Sequence, residues 1–309
     1  MQSLRLSRFF TVLAAFAAFA GAPAATAQNA GRDYTPSVGQ EGKDVIWVPT
    51  PEALVEKMLD MAKLTPKDIH YDLGSGDGRT VIAAAKRGAQ AVGVEYNPDM
   101  VALSERAAAK EGVSAKAKFI NGDIFQTDFS HATVVTLYLL PSLNVKLRPT
   151  LLKMKPGTRV VSHAFTMDEW QSDQTENVEG RTAYLWIVPA PVDGTWRWNG
   201  SGNGPKDYEV ALRQQFQKVD GAARLDGRLG QLRDVNLRGD QISFTVLDAD
   251  GSRRDFTGRV SGTKPQEMTD KSNQPGPRLP GIHNAVVFPR RRHGRVKRPF
   301  EGGHVPGFG

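Results

Sequence analysis

The sequence predicts an α/β protein in which a doubly wound sheet is followed by a small antiparallel β domain and a disordered tail. Three observations carry this reading. A strand, a glycine-rich turn and a helix follow one another between Asp68 and Gly88, the unit that opens doubly wound sheets. From Gly194 to about Val260 the pattern changes to short alternating strands separated by glycine and aspartate turns. Beyond that point periodicity ends, and Pro275-Gly276-Pro277 and Leu279-Pro280-Gly281 argue against packed elements. The expected domains are 45–190, 194–260 and a basic tail over 261–309.

In chain order, Met1–Ala27 has the build of a secretory signal peptide. Arg5 and Arg8 supply its charged start, Phe9–Gly21 its apolar core and Ala25-Thr26-Ala27 its small-residue cleavage site. The core is shorter than the ~20 residues that span a bilayer, so export to the periplasm is expected rather than a permanent anchor. No later segment reads as a membrane span. Residues 28–44 are polar, with Gly, Pro and Asn, and read as a surface linker. Thr50 and Pro51 fit the N-cap and N1 positions of a helix whose buried face is Leu54, Val55, Met58, Leu59 and Ala62. The approach Trp47–Thr50 either packs on the sheet or reaches over the glycine loop.

The first strand opens at Asp68–Tyr71, and the helix Arg79–Arg87 after the turn is closed by Gly88. Ala91–Glu95 reads as the second strand, with Asn97 and Pro98 starting another helix. Lys118–Ile124 is the third strand and its exit. The apolar run Ala132–Pro141 suits a strand buried on both faces of a parallel sheet. A helix over Leu143–Met154, a turn at Lys155-Pro156-Gly157 and a strand over Arg159–His163 follow. Arg181–Pro189 is expected to close the sheet. In the β domain, Trp196 and Trp198 alternate, as do Val210, Leu212 and Phe216 with a slip at Gln214. Ile242, Phe244 and Val246 alternate before the hairpin signal Asp250-Gly251. Covering a sheet edge is the favoured role of this domain over binding a target.

Composition narrows the function classes. The 309 residues include no cysteine, which excludes disulfides, thiolate metal sites and cysteine nucleophiles; no metal is expected. The net charge of +7 resides in the tail, where ten Lys and Arg face three Asp and Glu from Arg259 onward. Arg5 and Arg8 add two more, so residues 9–258 carry about −2. The folded part therefore has no electrostatic footprint for nucleic acid. The cluster Arg290–Arg298 is read as a passive solvated tail rather than a nucleic-acid or anionic-membrane site.

The chemistry centres on Tyr71-Asp72-Leu73-Gly74-Ser75-Gly76-Asp77-Gly78. Glycines at every second position let a ligand lie against the backbone, and the helix N-terminus directs free N–H groups at it. A dinucleotide fingerprint would require a third glycine at position 79, where Arg79 stands, so a nicotinamide oxidoreductase is disfavoured. Glu95, about twenty residues on, is placed to accept hydrogen bonds from both ribose hydroxyls of an adenosine.

The Asp-Leu-Gly-Ser-Gly-Asp-Gly run resembles motif I of the class I S-adenosylmethionine (SAM)-dependent methyltransferases. The resemblance implies a Rossmann-like methyltransferase sheet with SAM as cofactor, bound by Asp72, Gly74, Ser75, Gly76, Gly78 and Glu95. It also implies Asp123 on the adenine amino group, with Ile124 and Phe125 stacking on the ring. Tyr138 and Pro141 would line the methyl site in place of the Asn/Asp-Pro-Pro-aromatic signature that many amino-methylating members have. His163, at a strand end, reads as a hydrogen-bonded terminus rather than a catalytic group. Together with Val48-Pro49-Thr50-Pro51, Arg79 and Glu95-Tyr96-Asn97, the motif looks like the small protein-lysine N-methyltransferases related to those of the mitochondrial ATP synthase c-subunit and adenine nucleotide carrier. That likeness covers about residues 44–165. It implies a protein lysine as the methyl acceptor; the alternative is an exported, non-catalytic binding protein that keeps the fold. The sequence carries no signal for oligomeric state.

Overall fold

The computed structural model describes residues 34–200 and 204–260, together with the backbone of 261 and 264–270. The segment expected to be a signal peptide and the basic cluster expected in the tail lie outside the described residues. The first sheet contains β1 (Ile69–Leu73), β2 (Gln90–Glu95), β3 (Ala117–Asn121), β4 (Val134–Leu137), β5 (Arg159–His163), β6 (Gln174–Val178) and β7 (Arg181–Ile187). Its order is β3-β2-β1-β4-β5-β7-β6. The first five strands are parallel, and β7 enters antiparallel beside β5.

The apolar run predicted around β4 is buried on both faces, and alternation divides it. Val134 of β4 and Val161 of β5 pack under helix α1 (Glu52–Met61), whereas Val135 and Val160 join the opposite layer with helix α4 (Pro141–Leu151). Helices α2 (Arg79–Lys86) and α3 (Pro98–Lys110) share the α1 side, with Val81, Ala85 and Ala108 buried there. Asn97 caps α3 as expected, accepting from the Asp99 N–H at 2.9 Å.

Three expectations change. Thr50 does not cap α1: the helix starts after Pro51 without a side-chain cap, because the Thr50 hydroxyl is bonded elsewhere. Strand β7 does not close the sheet. The edge is β6, whose polar sequence Gln-Thr-Glu-Asn-Val carries no burial signal because an edge strand outside β7 buries little. The turn joining them, Glu179-Gly180, has positive φ at both positions, the geometry of a two-residue hairpin. Finally, the second sheet runs ten residues past Val260, the end expected for the β domain. It is an antiparallel meander of β8 (Gly194–Asn199), β9 (Asp207–Gln215), β10 (Lys218–Leu225), β11 (Arg228–Arg238), β12 (Gln241–Leu247), β13 (Arg253–Ser261) and β14 (Lys264–Asp270).

The inward alternation of the meander, Trp196, Trp198, Val210, Leu212, Ile242, Phe244 and Val246, builds its own core. The slip at Gln214 has a physical reason. Its side-chain amide accepts from the Val192 N–H at 2.6 Å and donates to the Ala190 and Phe216 carbonyls. Phe216 then turns away from the meander and stacks on Trp170 of the first layer, ring centroids 6.2 Å apart.

Candidate active site

In the order above, β1 has β2 on one side and β4 on the other, so the connections diverge at its C-terminal end. A crevice opens at such switch points, and here it becomes one cavity of about 280 Å³. Its floor is the loop after β1. Gly74 and Gly76 hold φ of +80° and +54°, and both line the cavity. A Cβ on Gly76 would stand 2.7 Å from Trp47 Nε1, and one on Gly74 would stand 2.9 Å from Leu139 Cδ2. Absent side chains thus keep the loop backbone bare beneath a strap formed by residues 40–50.

At one end, Glu95 braces the loop from β2. One carboxylate oxygen accepts from the Gly76 N–H at 2.9 Å and the other from the Asn97 N–H at 3.0 Å. A carboxylate has about four acceptor positions, so each oxygen keeps capacity for a ligand hydroxyl. Asp123 and Ile124 line the same end. Asp123 accepts from Lys43 Nζ at 2.6 Å and from the Phe125 N–H at 2.9 Å, and these bonds, Lys43 first, hold its carboxyl below the usual range. Lys43 also lies over the Tyr96 ring at 4.7 Å.

At the centre, Asp72 is buried and accepts from the Thr136 hydroxyl at 2.6 Å; that hydroxyl lies 2.8 Å from Nε2 of the fully buried His70. Burial pushes the Asp72 carboxyl up to about 7, opposed by the Thr136 bond and reinforced by the charges of Asp77 and Glu95.

At the other end the lining turns apolar: Tyr138, Leu139, Leu140, Leu143 and Phe165, with Trp47 and Pro49 from the strap. His163 lies buried beneath, its ring 3.8 Å from that of Tyr138 and its Nδ1 3.0 Å from Thr50 Oγ1. Burial, then the charge of Arg181, pushes His163 down to about 4, so it is neutral at physiological pH. Arg79, paired with Asp77 at 2.6 Å, donates to the Thr50 carbonyl at 3.0 Å and ties the strap to the loop.

Residues 72–174 match the family model described as the ANTKMT methyltransferase domain. A protein-lysine N-methyltransferase of Saccharolobus islandicus is 44% identical over 151 residues, covering 47% of this chain and 94% of the relative. The human lysine N-methyltransferase of the ATP synthase c-subunit is 34% identical over 172 residues, covering 55% of this chain and 68% of the relative. The chain belongs to the ANTKMT methyltransferase family. A crystal structure of an RNA methyltransferase from Salinibacter ruber in complex with S-adenosylhomocysteine is 50% identical, covering 47% of this chain and 96% of that one, with a TM-score of 0.46. The family model ends at residue 174 and so stops short of the β8–β14 meander.

S-adenosylmethionine is the cofactor of this methyltransferase, and the residues present fit it. The bare glycine backbone leaves a cradle that a Cβ would fill, beside Glu95. Six carboxylates line the cavity (Glu41, Asp44, Asp72, Asp77, Glu95, Asp123) against two cations, Lys43 and Arg79. That balance suits a ligand of net positive charge.

Of the residues expected to bind or react, eight line this cavity: Asp72, Gly74, Ser75, Gly76, Glu95, Asp123, Ile124 and Tyr138. Two do not. Gly78 faces inward, where a Cβ would meet Phe119 and Ser104 at 2.7 Å, so it serves the packing of α3 and β3 against the loop. Pro141 is exposed at the first position of α4, outside the cavity lining; its fixed φ starts the helix. Sequence reasoning missed Lys43, Thr136, Leu143 and Phe165, since none sits in a recognisable spacing. It also treated the polar 28–44 stretch as linker, although residues 40–44 contribute to the cavity wall.

Proposed function

We propose that this methyltransferase transfers the methyl group of SAM to the side-chain amine of a lysine in a protein acceptor. The observation that carries this is one cavity that passes without a break from a carboxylate-lined cofactor end to an apolar aromatic acceptor end at Tyr138 and Phe165. The names of its relatives, lysine N-methyltransferases of proteins in general and of the ATP synthase c-subunit, supply the lysine.

When bound, the cofactor supplies an activated methyl group on a sulfonium. The protein's own residues then need to hold and desolvate a nucleophile. Asp72, Gly74, Ser75 and Gly76 would bind the amino-acid end, Glu95 the ribose, and Asp123 with Ile124 the adenine. Lysine has an unperturbed pKa of ~10.4 and must lose a proton before it attacks. The walls formed by Tyr138, Leu140, Leu143, Phe165 and Trp47 disfavour the charged ammonium and so favour the neutral amine. Positioning supplies most of the remaining rate.

The same reading takes Met1–Ala27 as a signal peptide and the mature protein as exported, probed by cell fractionation and N-terminal sequencing. For the activity, calorimetry with SAM, S-adenosylhomocysteine and NAD is followed by transfer of labelled methyl to protein extracts and amino-acid analysis. Binding of the first two but not NAD, with label recovered as methyl-lysine, is the expected result. Label recovered on another residue would refute the lysine assignment, and absence of SAM binding would refute the cofactor site.

A further inference from the structure

Phe165 reaches the acceptor wall because the backbone leaves β5 through a strained turn. The Phe165 N–H donates to the His163 carbonyl at 2.8 Å, and Ala164 between them holds φ of +65°. A three-residue turn closed in this way, with positive φ at its centre, is the rare and strained form of the γ-turn. A non-glycine residue persists there only where its surroundings over-determine the backbone. Those surroundings are β7 and two side chains of α4. The Ala164 N–H donates to the Thr182 carbonyl at 2.7 Å. The Asn144 side-chain amide donates to the carbonyls of Phe165 at 3.2 Å and Thr166 at 3.3 Å, with Ser162 Oγ at 3.1 Å. One turn further along α4, Arg148 donates to the Met167 carbonyl at 2.9 Å. Three consecutive carbonyls after the turn are thus held from one helix.

Core packing does not explain this arrangement. Asn144 is fully buried, yet its Oδ1 has no partner among the described residues, and a buried polar atom left unpaired is destabilising. An apolar residue would fill the position without that penalty. The two carbonyls fix the orientation of the amide, since turning it over would set Oδ1 against them. Phe165 for its part is only half-buried and belongs to none of the hydrophobic clusters of the described residues. Its ring lines the cavity instead, 6.2 Å from that of Tyr138 and 24° from parallel to it. Strain, clamp and unpaired amide oxygen all serve to hold one aromatic ring at the acceptor end.

We propose that Phe165 is a specificity-determining residue, a fixed wall that selects an acceptor side chain of lysine length, and that Asn144 is the positioning residue that fixes it by clamping the γ-turn. The inference rests on the lysine reading above. A ring that cannot retreat aligns the four-methylene stem of lysine so that its nitrogen meets the methyl group. Small misplacements of a reacting atom are costly, so a side chain one methylene shorter is held by the same wall but falls short. When the ring can move, lysine loses its alignment, while the shorter side chain, unaligned from the start, loses little. Discrimination between the two lengths therefore reports the wall, and its dependence on Asn144 reports the clamp.

The test gives the full chain saturating labelled SAM with poly-L-lysine or poly-L-ornithine as acceptor. The wild type is expected to favour poly-L-lysine by about tenfold or more in kcat/KM, the scale that one methylene supports. Phe165→Ala and Asn144→Leu should each bring the ratio to within about threefold, by slowing poly-L-lysine, while the calorimetric Kd for SAM stays within about twofold. Adding Ala164→Gly to Asn144→Leu should recover the preference, because glycine adopts the turn without strain. A merely structural Asn144 would slow both polymers alike, and the glycine would not recover the ratio. Equal use of the polymers by the wild type, or an unchanged ratio in Phe165→Ala, overturns the wall. An unchanged ratio in Asn144→Leu, or no recovery in the double variant, overturns the clamp. If Asn144→Leu does not fold, Asn144→Ala removes the same donors and is read in the same way. Absence of transfer to either polymer with SAM bound refutes the lysine reading instead, and absence of SAM binding refutes the cofactor reading.

Discussion

The Thr50 hydroxyl lies 3.0 Å from His163 Nδ1, and helix α1 begins without the cap that this hydroxyl would otherwise supply. A cap of this kind is worth about 1 kcal/mol, so the chain gives up helix stability to fix an imidazole beneath Tyr138. Thr50→Val is expected to lower turnover about tenfold, since small misplacements of reacting groups cost that much or more. SAM affinity should stay within about twofold, because the substitution leaves the glycine loop intact. Thr50→Ser restores turnover. Steady-state kinetics beside calorimetry separates the two effects, and equal loss in both variants would show that the hydroxyl is irrelevant.

Glu95→Ala removes the carboxylate that accepts from Gly76 and Asn97 and faces the cofactor end. Loss of charged hydrogen bonds of ~1.5–3 kcal/mol each predicts SAM affinity weakened by roughly 30-fold or more. Isothermal titration reads this directly, and an unchanged Kd would displace the ribose from this position.

Two glycines of the same loop should behave differently. Gly76→Ala places a methyl against the Trp47 indole in the cavity and is expected to abolish measurable SAM binding while the protein remains folded. Gly78→Ala drives a methyl into Phe119 and Ser104. Overpacking of this kind costs ~1–3 kcal/mol, so its effect appears in the melting temperature first. Thermal melts paired with ligand titration distinguish the outcomes.

The pH dependence of stability in the cofactor-free protein follows from three buried groups. Asp72, raised to about 7, binds its proton more tightly folded than unfolded. It costs stability as pH rises from about 4 to about 7, by at most ~1.4 kcal/mol per pH unit. His70 and His163, lowered to about 3 and about 4, act in the opposite sense. The unfolded chain protonates them below about 6.5, so stability falls as pH drops through that window. Urea unfolding should therefore show stability rising to about pH 7, where the two imidazoles outweigh the one carboxyl, and a plateau above it. Asp72→Asn is expected to steepen that rise between about pH 5 and about pH 7 and to raise the midpoint at about pH 8.

Phe216 joins the meander to the first layer through Trp170 and lies 5.6 Å from the Arg148 guanidinium. Phe216→Ala is expected to cost about 2–3 kcal/mol, below the range for a fully buried Phe because the ring is only partly buried. SAM affinity should not change. Chemical denaturation and calorimetry check both halves, and a lost cofactor site would mean that the meander shapes the cavity.

The cofactor half of the site was legible because its requirements are local. Gly74 and Gly76 stand in a fixed spacing on a strand-turn-helix unit, and Glu95 must end the next strand, so their positions follow from strand length and turn geometry. The inward faces of the meander were legible for the same reason, since alternation assigns Trp196, Trp198, Phe244 and Val246 to one side. What only the tertiary structure decided are contacts between segments far apart in the chain. Thr50 met His163 across 113 residues and Asp72 met Thr136 across 64. Lys43 reached Asp123 from a stretch that reads as linker. Gly78 and Pro141 carried the right residue types but face a neighbour or solvent instead of the cavity. The direction of a side chain depends on what packs against it, and no periodicity encodes that. Sequence thus determined the sheet, the loop and the cofactor class. Packing determined which carboxylates are neutralised, which is buried on a hydroxyl, and what stands behind the acceptor wall.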